Sequence, residues 1–225
     1  MSPQPEVMEA AHPLFLAIAG NIGVGKSTLT RHLADKWNLT LLPEPVKQNP
    51  FLKLYYDDPK RWGFQSQLFF LAQRVKLFKE AGRLTTAKIV DRTLYEDAEI
   101  FARAALSRPE YEIYGQLYEY LLEHLPIPDL VVYLRASTAT LARRIQSRGR
   151  AFEKSIPASY LSKLNRYYDS WASSFTRAPL ISIDTDDLDL FSLFGEYERV
   201  TDRIAEALEQ KGLLWPSTTT TPRLS

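Results

Sequence analysis

The run Gly20-Asn21-Ile22-Gly23-Val24-Gly25-Lys26-Ser27-Thr28 combines three glycines with a lysine and two hydroxyls. Glycines permit backbone angles that aim successive N–H groups into one concavity, and a helix starting at its end adds partial positive charge. Such a cradle suits a triphosphate, and the spacing is that of a P-loop. Lys26 is expected to reach the outer phosphates of ATP and Ser27 to ligate Mg²⁺. A second feature is Ile89-Val90-Asp91-Arg92-Thr93, where an apolar run ends in an acid and an arginine. An arginine beside an acid at the end of a buried strand belongs next to phosphate. Together the two features imply nucleotide binding.

These residues need elements to hold them. Short apolar runs at Leu14 to Ala19, Leu39 to Leu42, Lys88 to Val90, Leu130 to Leu134 and Leu180 to Ile183 lack the polar alternation of half-exposed strands. They predict five buried parallel strands. Between them, apolar residues recur every three or four positions in Ser27 to Trp37, Trp62 to Glu80, Thr93 to Leu106, Tyr111 to Leu125 and Ala158 to Phe175. The alternation predicts an α/β fold with a five-stranded parallel sheet and helices on both faces. Ligands of such folds gather at the carboxyl ends of the strands.

A chain of 225 residues, 45% of them apolar, can bury one core, so a single domain over 13–213 is expected, with flexible tails at 1–12 and 214–225. A formal net charge of +1 gives no global field toward nucleic acid or an anionic membrane. No cysteine is present, which removes thiolate catalysis and disulfides and fits a reducing compartment. No apolar run approaches the roughly 20 residues of a membrane span. A cytoplasmic location is expected, with neither nucleic acid nor membrane as a partner.

A P-loop alone does not separate small-molecule kinases from GTPases, motors and switches. The chain has no acidic strand ending in paired carboxylates, but further motifs discriminate. Glu44-Pro45-Val46, Tyr56 with Arg61-Trp62, Gln67, Arg74, Asp91-Arg92-Thr93, Asp97, and Arg148-Gly149-Arg150 with Glu153 follow the P-loop in order. With it they resemble the deoxyribonucleoside kinase family, from the P-loop to about Asp189. Many relatives carry glutamate and serine where this chain has Asp91 and Thr93.

The resemblance implies a P-loop kinase fold with an arginine-rich lid, and it implies roles. Glu44, placed after the second strand near the P-loop mouth, becomes the general base toward a 5′-hydroxyl. Arg92 meets the transferring phosphoryl group or the 5′-oxygen, and Asp91 assists Mg²⁺. Gln67, Arg74 and Asp97 recognise the base, with Phe101 packing against it. Gln67 and Arg74 lie seven residues apart, two helical turns, so both can project from one face. Tyr56 and Glu153 clamp the 3′-hydroxyl. Arg144, Arg148 and Arg150 close over the phosphates as a lid with Gly149 as hinge, and Asp187 lies in the loop that meets the adenine of ATP. Helices around 93–106 and 111–125 pair family members as homodimers.

The glutamine amide offers a donor beside an acceptor, which suits adenine and cytosine alike. Ser66 stands before Gln67 where several cytidine-type relatives carry a bulky aromatic, so a roomier pocket is expected and deoxyadenosine is the first choice, with deoxyguanosine or deoxycytidine as alternatives. Two other readings stay open on sequence: a nucleoside monophosphate kinase, which would need more cations around the acceptor, and a nucleotide-dependent binding module or switch, which would have no acceptor.

Overall fold

The computed structural model describes residues 12–44, 48–150, 153, 156–188 and 196–213. Of the expected tails, residues 1–11 and 214–225 lie outside that set, as do Pro45 and Val46. Five strands, β1 (Phe15–Gly20), β2 (Thr40–Leu42), β3 (Lys88–Asp91), β4 (Leu130–Arg135) and β5 (Leu180–Asp184), form one sheet in the order β2-β3-β1-β4-β5. All pairings are parallel, and every residue of β1 is buried. The central strand therefore presents side chains to two cores, which is why its sequence does not alternate.

On one face α1 (Lys26–Trp37), α6 (Thr138–Arg148) and α8 (Glu196–Gln210) cover Leu16, Ile18, Val132 and Leu134. On the other, α3 (Pro59–Arg83), α5 (Arg108–Leu122) and α7 (Ala158–Ser174) cover Ala17, Val90 and Val131. The helix starts carry local signals. Asp58 accepts from Arg61 N at 3.2 Å ahead of Pro59, and Ser107 and Glu110 close a capping box. Helix α6 ends at Gly149, whose φ of 71° lies in the left-handed region. A short α2 (Leu52–Asp57) precedes α3 and carries Tyr55 and Tyr56.

Two elements differ from expectation. The helix expected from Thr93 is a π-helix over Asp97–Ala102, followed by the brief α4 (Arg103–Ala105). Helix α8, which the sequence reading did not name, buries Val200, Ile204 and Leu208 at four-residue spacing against the sheet. No helix among the described residues is long and apolar enough to cross a membrane.

Candidate active site

Because all five strands run parallel, the loops after β1, β2 and β3 open at one edge. There they surround a cavity of about 500 Å³. Its walls include Ile22, Gly23, Gly25, Lys26, Ser27 and Thr28 from the P-loop, Glu44 after β2, and Asp91 and Arg92 after β3. Tyr56, Gln67, Arg74, Asp97, Phe101, Arg148, Arg150 and Glu153 also line it. Thus residues from Ile22 to Glu153 face one volume that suits a small ligand.

At the phosphate end, Gly20 and Gly23 have φ of 143° and 85°. A Cβ on Gly20 would lie 2.6 Å from Leu134 O, and one on Gly23 would lie 2.8 Å from Ile145 Cγ1. Glycine is thus required by both backbone angle and space. Asn21 fastens the loop to α7, donating to Leu161 O at 3.0 Å and Asn165 Oδ1 at 2.7 Å. Lys26 is buried and donates to Gly20 O at 2.6 Å and Asn21 O at 3.0 Å. Burial, with Arg92 adding repulsion, lowers its ammonium to about 8. To meet phosphate the ammonium must exchange those two carbonyls for anionic oxygens, which are stronger partners.

Asp91 accepts a hydrogen bond from Ser27, and its Oδ1 is buried with no hydrogen-bond partner. Burial and the nearby Glu44 raise its carboxyl, against Lys26 and the Ser27 hydroxyl. An orphaned buried carboxylate oxygen beside a hydroxyl fits a hard divalent cation held mainly by phosphate and water. Among the described residues no group of three or more acidic, histidine or cysteine side chains could hold a metal without them.

Glu44 stands between two cations. Its Oε1 lies 3.1 Å from Arg74 Nη2 and 3.2 Å from Arg92 Nε. The Arg74 contact has hydrogen-bond geometry, whereas Arg92 Nε finds no hydrogen-bond partner, so its attraction to Glu44 is chiefly coulombic. Burial alone would raise the Glu44 carboxyl; Arg92, Arg74 and Lys26 outweigh it, and the net direction is down. Arg92 has φ of 97°, a conformation that costs a non-glycine residue about 1–3 kcal/mol. Its guanidinium lies over the Phe101 ring, 4.4 Å from the centroid. The strained turn thereby aims a cation at the space between Glu44 and the P-loop.

At the opposite end, Arg74 Nε donates to Asp97 Oδ2 at 2.6 Å, and both side chains are buried. Burial pushes the Asp97 carboxyl up to about 6 while Arg74 pulls against it. Gln67 Oε1 and Arg74 Nη1 are buried without a hydrogen-bond partner. A buried unpaired acceptor and donor are costly unless a ligand supplies their partners. Phe70 and Phe101 also wall this end, which therefore offers rings beside hydrogen-bonding groups. Tyr56 and Glu153 lie on the same cavity, with both Glu153 oxygens taken by Arg148 and Arg150.

Two expectations, for Arg144 and Ser66, change. Arg144 does not line the cavity; it is buried and donates to Val24 O, Thr185 Oγ1, Thr185 O and Leu188 O. It fastens α6 to the P-loop and to the loop after β5, so of the lid arginines only Arg148 and Arg150 face the cavity. Asp187 is exposed in the loop after β5, and its neighbour Asp186 accepts from Ser137 N at 2.8 Å at the start of α6. Ser66 is fully buried against Asn49, whose Nδ2 donates to Ser66 Oγ at 3.1 Å, and does not line the cavity. Its small volume therefore gives the base no room. One residue was missed: Glu96, fully buried, accepts from Gly20 N at 3.0 Å, Thr93 N at 2.7 Å and Tyr168 Oη at 2.6 Å. The pattern Thr93-x-x-Glu96 was the available signal, since it is a capping box.

Comparison with known proteins agrees with this geometry. A family model described as deoxynucleoside kinase matches residues 16–209. The deoxyadenosine/deoxycytidine kinase of Bacillus subtilis (strain 168) is 34% identical over 200 residues, covering 86% of this chain and 92% of that protein. The deoxyguanosine kinase of the same organism is 35% identical over 202 residues, covering 86% and 97%. A solved structure of deoxyadenosine kinase from M. mycoides, with the products dCMP and a flexible dCDP bound, superposes with a TM-score of 0.75 at 32% identity. It is covered completely, against 86% of this chain. The same kinase with bound dATP gives a TM-score of 0.75, covering 85% of this chain. The switch and monophosphate-kinase readings fall away, because the match runs through both ends of the cavity: the chain belongs to the deoxynucleoside kinase family.

Proposed function

We propose that this kinase transfers the γ-phosphoryl group of ATP to the 5′-hydroxyl of deoxyadenosine, with deoxyguanosine or deoxycytidine as the alternative acceptors. The observation that carries the reading is Glu44, a buried carboxylate kept ionised by Arg74 and Arg92 on the cavity that also holds Lys26 and Ser27. In this role Glu44 orients the hydroxyl and accepts its proton while Arg92 meets the charge of the transferring group. Positioning and electrostatics supply most of the catalysis in such transfers. Lys26 and the P-loop N–H groups hold the β- and γ-phosphates, with Arg148 and Arg150 above them. Ser27 would hold Mg²⁺ with Asp91 assisting, and the ion would neutralise phosphate charge.

A base with an amino group beside a ring nitrogen, adenine or cytosine, is supported by the unpaired Gln67 Oε1, which accepts from the amino group while the amide nitrogen donates to the ring nitrogen. Arg74 Nη1 is left to donate to a further acceptor on the base. Tyr56 and Glu153 bind the 3′-hydroxyl, Glu153 releasing one arginine to do so. A single kinase domain over 13–213 and a homodimer complete the reading. The dimer is supported by Ile113, Leu117 and Tyr120, which form an apolar stripe on the outer side of α5 and are 61%, 41% and 66% exposed.

The test is phosphorylation of the four natural deoxynucleosides, repeated with Glu44→Gln. Deoxyadenosine is expected to show the highest kcat/KM, and thymidine as preferred acceptor would overturn the roles given to Gln67, Arg74 and Asp97. With Glu44→Gln, binding by calorimetry persists while turnover falls by about 10²-fold or more.

A further inference from the structure

Glu96 lies outside the cavity wall, yet it is fully buried and its carboxylate accepts from the neutral donors Gly20 N, Thr93 N, Thr93 Oγ1 and Tyr168 Oη. Oε2 accepts from Thr93 N at 2.7 Å and Thr93 Oγ1 at 2.9 Å, while Glu96 N returns a 3.4 Å bond to that hydroxyl. This half is a capping box. A glutamine would close it equally well, and without the cost of burying a charge.

The other oxygen has nothing to do with the cap. Oε1 accepts from Gly20 N, 76 residues away at the entry of the P-loop, and from Tyr168 Oη of α7. Tyr168 Oη also lies 2.8 Å from Gly20 O, the carbonyl to which Lys26 Nζ donates. One carboxylate therefore joins the first glycine of the phosphate cradle to the turn that begins at Arg92, whose φ of 97° needs support from its surroundings. Its negative charge acts at longer range on both Lys26 and Arg92.

We propose that Glu96 is a positioning residue for phosphoryl transfer, fixing the P-loop entry and the Arg92 turn at one separation so that donor and acceptor meet in line. Its carboxylate touches neither substrate. Removing the link leaves each half of the cavity formed but lets their spacing drift, and a misplacement of about 1 Å costs on the order of 10²-fold in rate.

The test compares Glu96→Gln and Tyr168→Phe with wild type, using whichever of the four deoxynucleosides wild type phosphorylates fastest, so that the outcome does not depend on the base. Glu96→Gln keeps the cap and the volume but turns one acceptor into a donor facing Gly20 N–H. Its kcat is expected to fall by about 10- to 100-fold, with the acceptor KM within about threefold and the thermal midpoint within a few degrees. Tyr168→Phe keeps both the charge and the cap, and kcat is expected to fall by about three- to tenfold. A wild-type kcat in folded Glu96→Gln, or a loss confined to the acceptor KM, would overturn the proposal. Should Glu96→Gln fail to fold, an unchanged kcat in Tyr168→Phe overturns it and a selective loss of kcat supports it.

Discussion

Arg74 Nη2 donates to Glu44 Oε1 across 3.1 Å, so a residue of the proposed base pocket also holds the carboxylate toward the P-loop end of the cavity. The same guanidinium holds Asp97 through Nε at 2.6 Å. In the proposed roles, base recognition and proton acceptance share one planar group, and the bidentate reach of arginine makes this possible where lysine would not.

The first consequence is energetic. Arg74→Met leaves Asp97 as a buried carboxylate without its partner and is expected to cost about 3–5 kcal/mol in urea unfolding at neutral pH; Asp97→Ala strands Arg74 with Glu44 alone and costs less. The double variant Arg74→Met with Asp97→Ala is expected to be more stable than Arg74→Met, because no uncompensated charge remains at that end. Additive losses would show that the pair is not coupled.

The second concerns pH. Glu44 is held below the usual carboxylate range, so it is ionised throughout neutral pH, and its favourable pairing is lost only as pH falls through that lowered value. The wild-type kcat/KM for the acceptor is expected to show no acid limb from this group above about pH 5. In Arg74→Met, burial is opposed by fewer cations, and the limb moves upward into the measurable range. A pH–rate profile of the two enzymes checks the direction.

Gly23→Ala tests the cradle. The added methyl meets Ile145 Cγ1 at 2.8 Å and Leu141 O at 3.0 Å, at a φ of 85° that alanine resists. Either the loop shifts or α6 does. We expect ATP affinity by calorimetry to fall by about tenfold or more, with stability lower by about 1–3 kcal/mol.

The stripe on α5 tests assembly. Ile113 and Tyr120 are the most exposed of its apolar residues, at 61% and 66%. Light scattering is expected to give twice the chain mass of 25.8 kDa for wild type and a shift toward the single-chain mass for Ile113→Asp with Tyr120→Asp. An unchanged mass would remove α5 from the interface.

What the sequence determined by itself is what depends on neighbours along the chain. The P-loop is a run of contiguous residues, and the five strands are contiguous apolar runs whose parallel order follows from alternation with helices, so both were legible. So was the convergence of Glu44 and Arg92, because each closely follows the carboxyl end of a strand of one parallel sheet. The buried stripe of α8 was present in the same code and went unread. The tertiary structure alone decided the rest. Arg144 and Arg148 share a spacing that allows either to face the phosphates, and only packing of α6 against the P-loop and the loop after β5 buries one and leaves the other on the cavity wall. Ser66 and Gln67 are adjacent, yet one turns to Asn49 and the other to the cavity. Glu96 reads as a helix cap until Gly20 and Tyr168 close on its second oxygen. A side chain's type fixes which bonds it can make; which partner arrives is settled by elements distant in sequence, and that choice is absent from any local pattern.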